Sequence, residues 1–351
     1  MRWAIYIIVL IVVIGAGFLC WQKDNFLKFI KKDSKITSIT SSQTVDSTKK
    51  KSSPKSSLII GGDVMLARWV EQKSLSNGGW TSLFDKVRDT LKKPNCTIVN
   101  LESPIKGEKP QTQINSLIFA AKPESVEALT DGGIDAVTLA NNHITDQGQA
   151  GLAETQAKLN ENKIAYSGAD TDANKAKQAK ILTCDNVKIG LIGATYGTNF
   201  PADGVNVAHI DEITDAIKQA RPLVDYLIVY PHWGTEYNAS PSPYQKELAH
   251  GYIDAGADLV VGSHPHVLQP VEIYKNKTIA YSLGNLAFDQ ASSGKKTEGA
   301  LLSINLDDKN QKFAIVPIQI ESYFRPEISQ GDSNSYKESL GLKDLSWTLA
   351  R

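Results

Sequence analysis

Short apolar runs recur along the chain from Leu58 onward, each set off from the next by polar turns or by a stretch of helical spacing. Runs at 58–62, 97–101, 136–140, 187–194, 226–231, 259–263, 270–274, 278–283, 299–305 and 313–320 predict strands, because aliphatic and β-branched residues crowd there between Gly, Asn, Asp and Pro. Apolar residues three and four apart predict helices over 80–91, 123–131, 148–162, 211–220 and 243–255. Pro123 near one helix start and Gly256 just past another helix end suit the chemistry of helix termini. Early strands alternate with helices, as in βαβ units, whereas those from 270 to 320 follow one another as hairpins do. The pattern predicts a layered α/β domain with more than one sheet.

The N-terminus follows a different rule. From Trp3 to Trp21 no residue is charged, and Ile, Val and Leu dominate. At about 1.5 Å per residue such a helix reaches across a ~30 Å hydrocarbon core. We read residues 1–22 as an uncleaved transmembrane anchor, with 3–21 in the bilayer. A cleaved signal peptide is the rival reading, but the apolar stretch is long and no small-x-small site follows it. Phe18 and Leu19 before Cys20 are bulkier than a lipoprotein site needs. Lys23, Lys28, Lys31 and Lys32 follow the span and only Arg2 precedes it, so charge alone would keep the body inside the cell. Residues 23–56, rich in Ser, Thr and Lys, cannot bury a core and read as a flexible tether. The globular domain is expected over 57–325, followed by a loosely attached tail over 326–351.

Composition narrows the function little. The chain has 351 residues, 41% hydrophobic and 22% charged, enough for a sizeable core. Basic and acidic residues balance at 38 each and no basic stripe stands out, which argues against a nucleic-acid partner. Cys20, Cys96 and Cys184 suggest no disulfide framework and leave the redox compartment open.

The chemistry is written where the apolar strands end. One strand runs into Asp63, the next into Asn100 and Glu102, the third into Asn141, Asn142 and His143. Two later strands run into His232 and into Ser263-His264-Pro265-His266. Ligands of open α/β sheets bind beyond the carboxyl ends of the strands, so these side chains are expected on one rim. Carboxylates, imidazoles and amide oxygens are the donors a two-metal hydrolytic site uses. Such a site activates a water and clamps a phosphoryl oxygen, and a neighbouring His can protonate the leaving group. In an extended His-Pro-His segment, residues two apart point the same way, so His264 and His266 are expected to face one site. Glu236 is a candidate for orienting His232 or meeting substrate. Asp146 reads as the N-cap of helix 148–162. His209 and His250 follow no apolar strand and are expected to take no part.

The ordered segments Gly-Gly-Asp63-Val-Met-Leu, Asn100-Leu-Glu102-Ser-Pro-Ile, Ala-Asn141-Asn142-His143, His232-Trp-Gly-Thr-Glu236, Gly-Ser-His264-Pro-His266-Val-Leu-Gln-Pro and Ser282-Leu-Gly-Asn285 resemble the CapA family of capsule and poly-γ-glutamate biosynthesis proteins. The resemblance covers roughly 57–320. It implies a calcineurin-like metallophosphoesterase fold, a four-layer α/β/β/α sandwich, on a membrane-anchored protein whose domain is extracellular. It implies one or two divalent ions (Mn, Zn or Fe), with Asp63 and His266 on a first metal and Asn142, His232 and His264 on a second. Glu102 would bridge them and His143 would be the general acid, with Asn100, Asn141, Glu236 and Asn285 around them. The implied partners are an anionic capsule polymer or its precursor, membrane subunits of a polymer synthesis complex, and the bilayer itself. Met65 departs from the pattern, because phosphoesterases of this kind usually carry Asp-x-His there and thioether sulfur is a poor substitute for imidazole. Two functions therefore stand side by side: a metal-dependent hydrolase, which the intact histidines favour, and a non-catalytic accessory or polymer-binding subunit, which Met65 favours. A nucleotidase would suit the fold, but no nucleoside-binding signal accompanies it.

Overall fold

A computed structural model describes residues 56–106, 117–290, 297–306, 312–331, 333–342 and 348–349. The expected span 3–21 and the tether up to Lys55 lie outside the described residues. Among the described residues, no helix is long and apolar enough to cross a membrane.

In chain order the strands are β1 Ser57–Val64, β2 Cys96–Leu101, β3 Ala136–Thr138, β4 Ala165–Ser167, β5 Ala169–Asp170, β6 Lys180–Cys184, β7 Val187–Thr195, β8 Asn206–Val207 and β9 Tyr226–His232. There follow β10 Leu259–Val261, β11 Leu268–Tyr274, β12 Lys277–Leu283, β13 Asn285–Ala287, β14 Glu298–Asn305, β15 Lys312–Glu321, β16 Arg325–Ile328 and β17 Thr348–Leu349. The helices are α1 Arg68–Ser76, α2 Arg88–Lys92, α3 Val126–Gly132, α4 Gly148–Glu161, α5 Ala173–Lys177, α6 Thr214–Ala220, α7 Pro243–Ala255 and α8 Ser333–Ser339.

Two mixed sheets carry the domain. One runs β16-β15-β14-β1-β2-β3-β4, with β13 on β1 and β17 on β15; the other runs β11-β12-β10-β9-β7-β6. Alternation along each strand sends side chains to both faces. Leu58, Ile60 and Ile98 of the first sheet meet Ile189, Ile228 and Val261 of the second in a core between the sheets. Ile59, Val99 and Val137 point the other way, onto Val70, Leu129 and Leu152 of α1, α3 and α4. The outer face of the second sheet, with Leu227, Val229 and Ile279, packs on Ile217, Ala249 and Tyr252 of α6 and α7. Helices therefore cover both outer faces of the paired sheets.

The ten predicted strands all form, and α7 forms with its predicted limits because Ser242 and Gln245 make a reciprocal capping box with Pro243 at the first turn. The helix predicted over 80–91 is instead a 3-10 turn, Trp80–Ser82, followed by α2. Its apolar period is intact, but Ser82 Oγ turns back to the carbonyls of Gly79 and Ser74, and Arg88 takes the carbonyl of Thr81. Those side-chain bonds compete with the helical ladder. The expectation of a loose tail is corrected for its described residues. β16 pairs with β15, and Tyr336, Leu340 and Leu342 are buried in the core between the sheets. The Tyr336 hydroxyl donates to the Ile318 carbonyl, and the Val271 N–H to that of Leu340.

The expectation of no disulfide gives way as well. Cys96, opening β2, is bonded to Cys184, closing β6, across 88 residues of sequence. The bridge ties one sheet to the other at the end of β2 away from Asn100 and Glu102. Closing a loop of that size restricts the unfolded chain, so Cys96→Ser is expected to cost roughly 2–5 kcal/mol. A denaturant titration of the oxidised protein against this variant measures it, and equal midpoints would show that the bridge contributes nothing.

Candidate metal centre

The sheet register assembles the site. Asp63 of β1 lies opposite Asn100 of β2 and Asn285 of β13, so three polar side chains reach the same level at the carboxyl ends of neighbouring strands. Gly62 makes the approach to β13 possible, because a Cβ there would sit 1.9 Å from the Gly284 carbonyl oxygen. From the second sheet, His232 ends β9 and pairs by a single bridge with Ser263, just beyond β10. The two rims face each other.

Each predicted residue can now be placed. Asp63, Asn100, Glu102, Asn141, His143, His232, His266 and Asn285 are buried; Asn142 and His264 are partly buried and Glu236 is exposed. Asp63, Glu102 and His266 each offer a ligand atom within 4.8 Å of the others, and so do Glu102, His232 and His264; Glu102 belongs to both sets. Glu236 forms a third such set with His264 and His266, at the outer edge. Asn142 Oδ1 lies 2.9 Å from His232 Nε2, which is also 3.0 Å from His264 Nδ1. The first set thus holds Asp63 and His266, the second His232 and His264, and Glu102 is in both.

The remaining amides build the frame. Asn100 donates to Asp63 Oδ1 at 2.8 Å and accepts from Thr138 and Asn141. Asn141 donates to the Leu101 carbonyl and accepts from the His143 N–H, which fixes the turn carrying Asn142 and His143. Asn285 Oδ1 lies 2.9 Å and Asp63 Oδ2 3.4 Å from His266 Nδ1, so Nδ1–H faces both oxygens and Nε2 turns to Glu102, 3.5 Å away. Fixing a ring tautomer from outside the ligand set is how a metal-binding His is oriented.

The His-Pro-His segment works differently from the expectation. It is a bend, not a strand, with His264 at φ 95° and His266 at φ 56°. Both rings still reach the cluster, with centroids 6.0 Å apart. Left-handed backbone at two non-glycine residues is strained and persists only where the surroundings hold it. Here the His264 N–H donates to Asp63 Oδ2 and the Pro265 carbonyl accepts from Tyr237.

Electrostatics single out Glu102. Both its carboxylate oxygens are buried without a hydrogen-bond partner. Burial, and then the neighbouring Asp63, push its pKa well above the usual range. Burial also opposes the charge on Asp63, but the hydrogen bond with His266 and the nearby imidazoles outweigh it and hold Asp63 below the ordinary carboxylate range. Burial, then the His264 ring, lowers His232 well below its usual value; burial, then His266, lowers His264 to about 4. Neutral imidazoles and a carboxylate lacking a counter-charge are a donor set waiting for a cation. The residues fit a divalent metal on this observation. Met65 does not join them: it is buried in the core beneath the helices, and its sulfur accepts from the Ala67 N–H.

Two polar partners of His143 escaped the sequence reading. Asp146 is not an N-cap; Gln147 occupies that position and makes no side-chain cap. Asp146 Oδ2 instead lies 2.8 Å from His143 Nδ1. The three-residue spacing was visible, but so was a plausible cap. Asn199, 3.4 Å from His143 Nε2, comes from a distant loop and left no local signal. His209 pairs with Asp211 and His250 with Glu272, both outside the cluster.

Residues 57–290 match the family model described as bacterial capsule synthesis protein PGA_cap. The capsule biosynthesis protein CapA of Bacillus anthracis is 31% identical over 327 residues, covering 88% of this chain and 78% of that one. The PGA biosynthesis protein CapA of Bacillus subtilis is 32% identical over 268 residues, covering 74% and 70%. Among solved structures, a phosphatase from Mycoplasma pneumoniae shares the fold at a TM-score of 0.51 and 15% identity, over 81% of this chain and 99% of that one.

Proposed function

This chain belongs to the bacterial capsule synthesis protein PGA_cap family, and from that premise we propose that it is a membrane-anchored capsule or poly-γ-glutamate biosynthesis protein whose polar cluster is a metal-dependent, phosphoesterase-type hydrolase site. Glu102 carries the reading: two buried carboxylate oxygens without partners, between two sets of imidazoles, make sense around a cation. Asp63, Glu102 and His266 would hold one divalent ion, and Glu102, Asn142, His232 and His264 a second. When bound, such ions polarise a phosphoryl oxygen and activate water. His143 would protonate the leaving group from Nε2, with Nδ1–H held by the Asp146 carboxylate. The buried floor strengthens each of these interactions.

The domain is proposed to work outside the cell, at the membrane surface, on an anionic polymer or its precursor and beside membrane subunits of a polymer synthesis complex. The Cys96–Cys184 bridge supports that location, since disulfides persist in oxidising compartments. Residues 3–21 would be the anchor. Protease added to intact cells should degrade the domain; full protection would place it inside.

Elemental analysis of the purified protein is expected to find stoichiometric Mn, Zn or Fe, lost in Asp63→Ala and His264→Ala. Loading is expected to release protons, because Glu102, whose pKa burial raises, must ionise to bind. Titration calorimetry in buffers of different ionisation enthalpy reads that release directly. A wild type that takes up no metal would end the hydrolase reading. Met65 favours the alternative, a non-catalytic accessory that uses the same rim to bind polymer. Its packing leaves the first ion one imidazole short. A His264→Ala/His266→Ala variant that still supports capsule formation would decide for it.

A further inference from the structure

The polar contacts of His143, Asp146 at Nδ1 and Asn199 3.4 Å from Nε2, hold the imidazole by its edge and leave its faces unsupported. At His143 a second constraint is present. The Phe119 ring lies parallel to the His143 ring, with centroids 3.8 Å apart and planes 16° apart. The backbone N–H of Phe119 also donates to Asp146 Oδ2 at 2.6 Å, the same oxygen that faces His143 Nδ1. A single residue thus touches both the ring and the ring's partner. The stacked phenyl blocks the tilt that these edge contacts leave free.

Phe119 is held in turn. The Arg68 guanidinium carbon lies 4.8 Å from its ring centre. Arg68 is gripped by Asp289 through two N–H groups, and the Trp69 N–H donates to the same carboxylate at 3.2 Å. Arg68 takes φ 53°, a left-handed conformation costly for this residue type. The Phe288 ring, edge-on to Phe119 at 6.1 Å, also leans on His266 at 4.7 Å. Core packing alone asks for neither a guanidinium on the phenyl ring nor an N–H on the orienting carboxylate.

We infer that Phe119, backed by the Arg68–Asp289 pair, is a positioning residue that fixes the His143 ring so that Nε2 faces the metal cluster. His143 Nε2 is 4.0 Å from Glu102 Oε1, across the space where a scissile bond would lie. The inference rests on the proposed role of His143 as proton donor, and the test separates the two.

Phe119→Leu, Phe119→Tyr and Arg68→Lys would be assayed in the full chain on p-nitrophenyl phosphate, with metal content measured on each. Misplacing a reacting group by about 1 Å can cost on the order of 10²-fold. Phe119→Leu is therefore expected to lower kcat by roughly 10–100-fold, with KM and metal content kept, and Phe119→Tyr to restore it. Arg68→Lys should fall between them. Imidazole NMR gives a readout independent of turnover. The His143 Nδ1–H resonance, protected by Asp146 in the wild type, should broaden or vanish in Phe119→Leu and return in Phe119→Tyr. If the wild type shows no turnover, the hydrolase reading fails, and the resonance still decides this one. An unchanged resonance in Phe119→Leu overturns the inference. So does a loss confined to KM, which would mean contact with substrate, or a loss that tracks metal content.

Discussion

Changing His143 to Ala is expected to slow phosphoester hydrolysis by a factor on the order of 10²–10⁴ while the metal stays bound. His143 belongs to none of the close donor sets; it faces Glu102 from 4.0 Å and is oriented from behind by Asp146. A group so placed can deliver a proton but need not hold an ion. Steady-state rates with p-nitrophenyl phosphate, paired with metal analysis, make the measurement. An unchanged rate would put the proton donor elsewhere, and loss of metal would make His143 a ligand.

Glu102→Gln is expected to have two large effects of opposite sign. Glutamine keeps the shape but cannot ionise, and Glu102 is common to both close donor sets of the proposed site, so metal binding should fall below detection. The metal-free protein should become more stable at neutral pH. The sign follows from linkage. The folded-state pKa of Glu102 is raised, by burial first and then by Asp63. A raised group contributes fully below its unfolded value, near 4.5, and its contribution is lost as pH rises through the folded value. Glutamine removes that loss. Thermal melts of both metal-free proteins from pH 5 to 8 should therefore diverge as pH rises, with the variant higher. Parallel curves would mean that Glu102 finds a counter-charge without metal, and the proposed site would lose its main support.

The candidate ligands were legible because polar groups at strand ends interrupt apolar runs abruptly. Asp63, Glu102, His232 and His264 each stand out against the aliphatic residues before them, and parallel strands place such ends on one rim. Asn285 came only with the family resemblance, and its task of holding His266 by Nδ1 was not legible. The bend at His264 and His266 was hidden, since Pro265 restrains the residue before it but does not dictate left-handed backbone. Asp146 misled because an aspartate ahead of a helix is an ordinary cap, and only the Phe119 N–H and the His143 ring reveal what it binds.

Local pattern, then, determined which segments became strands, which side chains would gather at their ends and, through six ordered motifs, the family. Only the folded chain decided that Cys96 meets Cys184, that Met65 turns into the core, that Tyr336 and Leu340 anchor the C-terminal region, and that Arg68 and Phe119 back onto His143. Each of these is a contact between residues far apart in the sequence, set by how two sheets and their helices close on one another. Periodicity says which face of an element is buried, and says nothing of what lies against it.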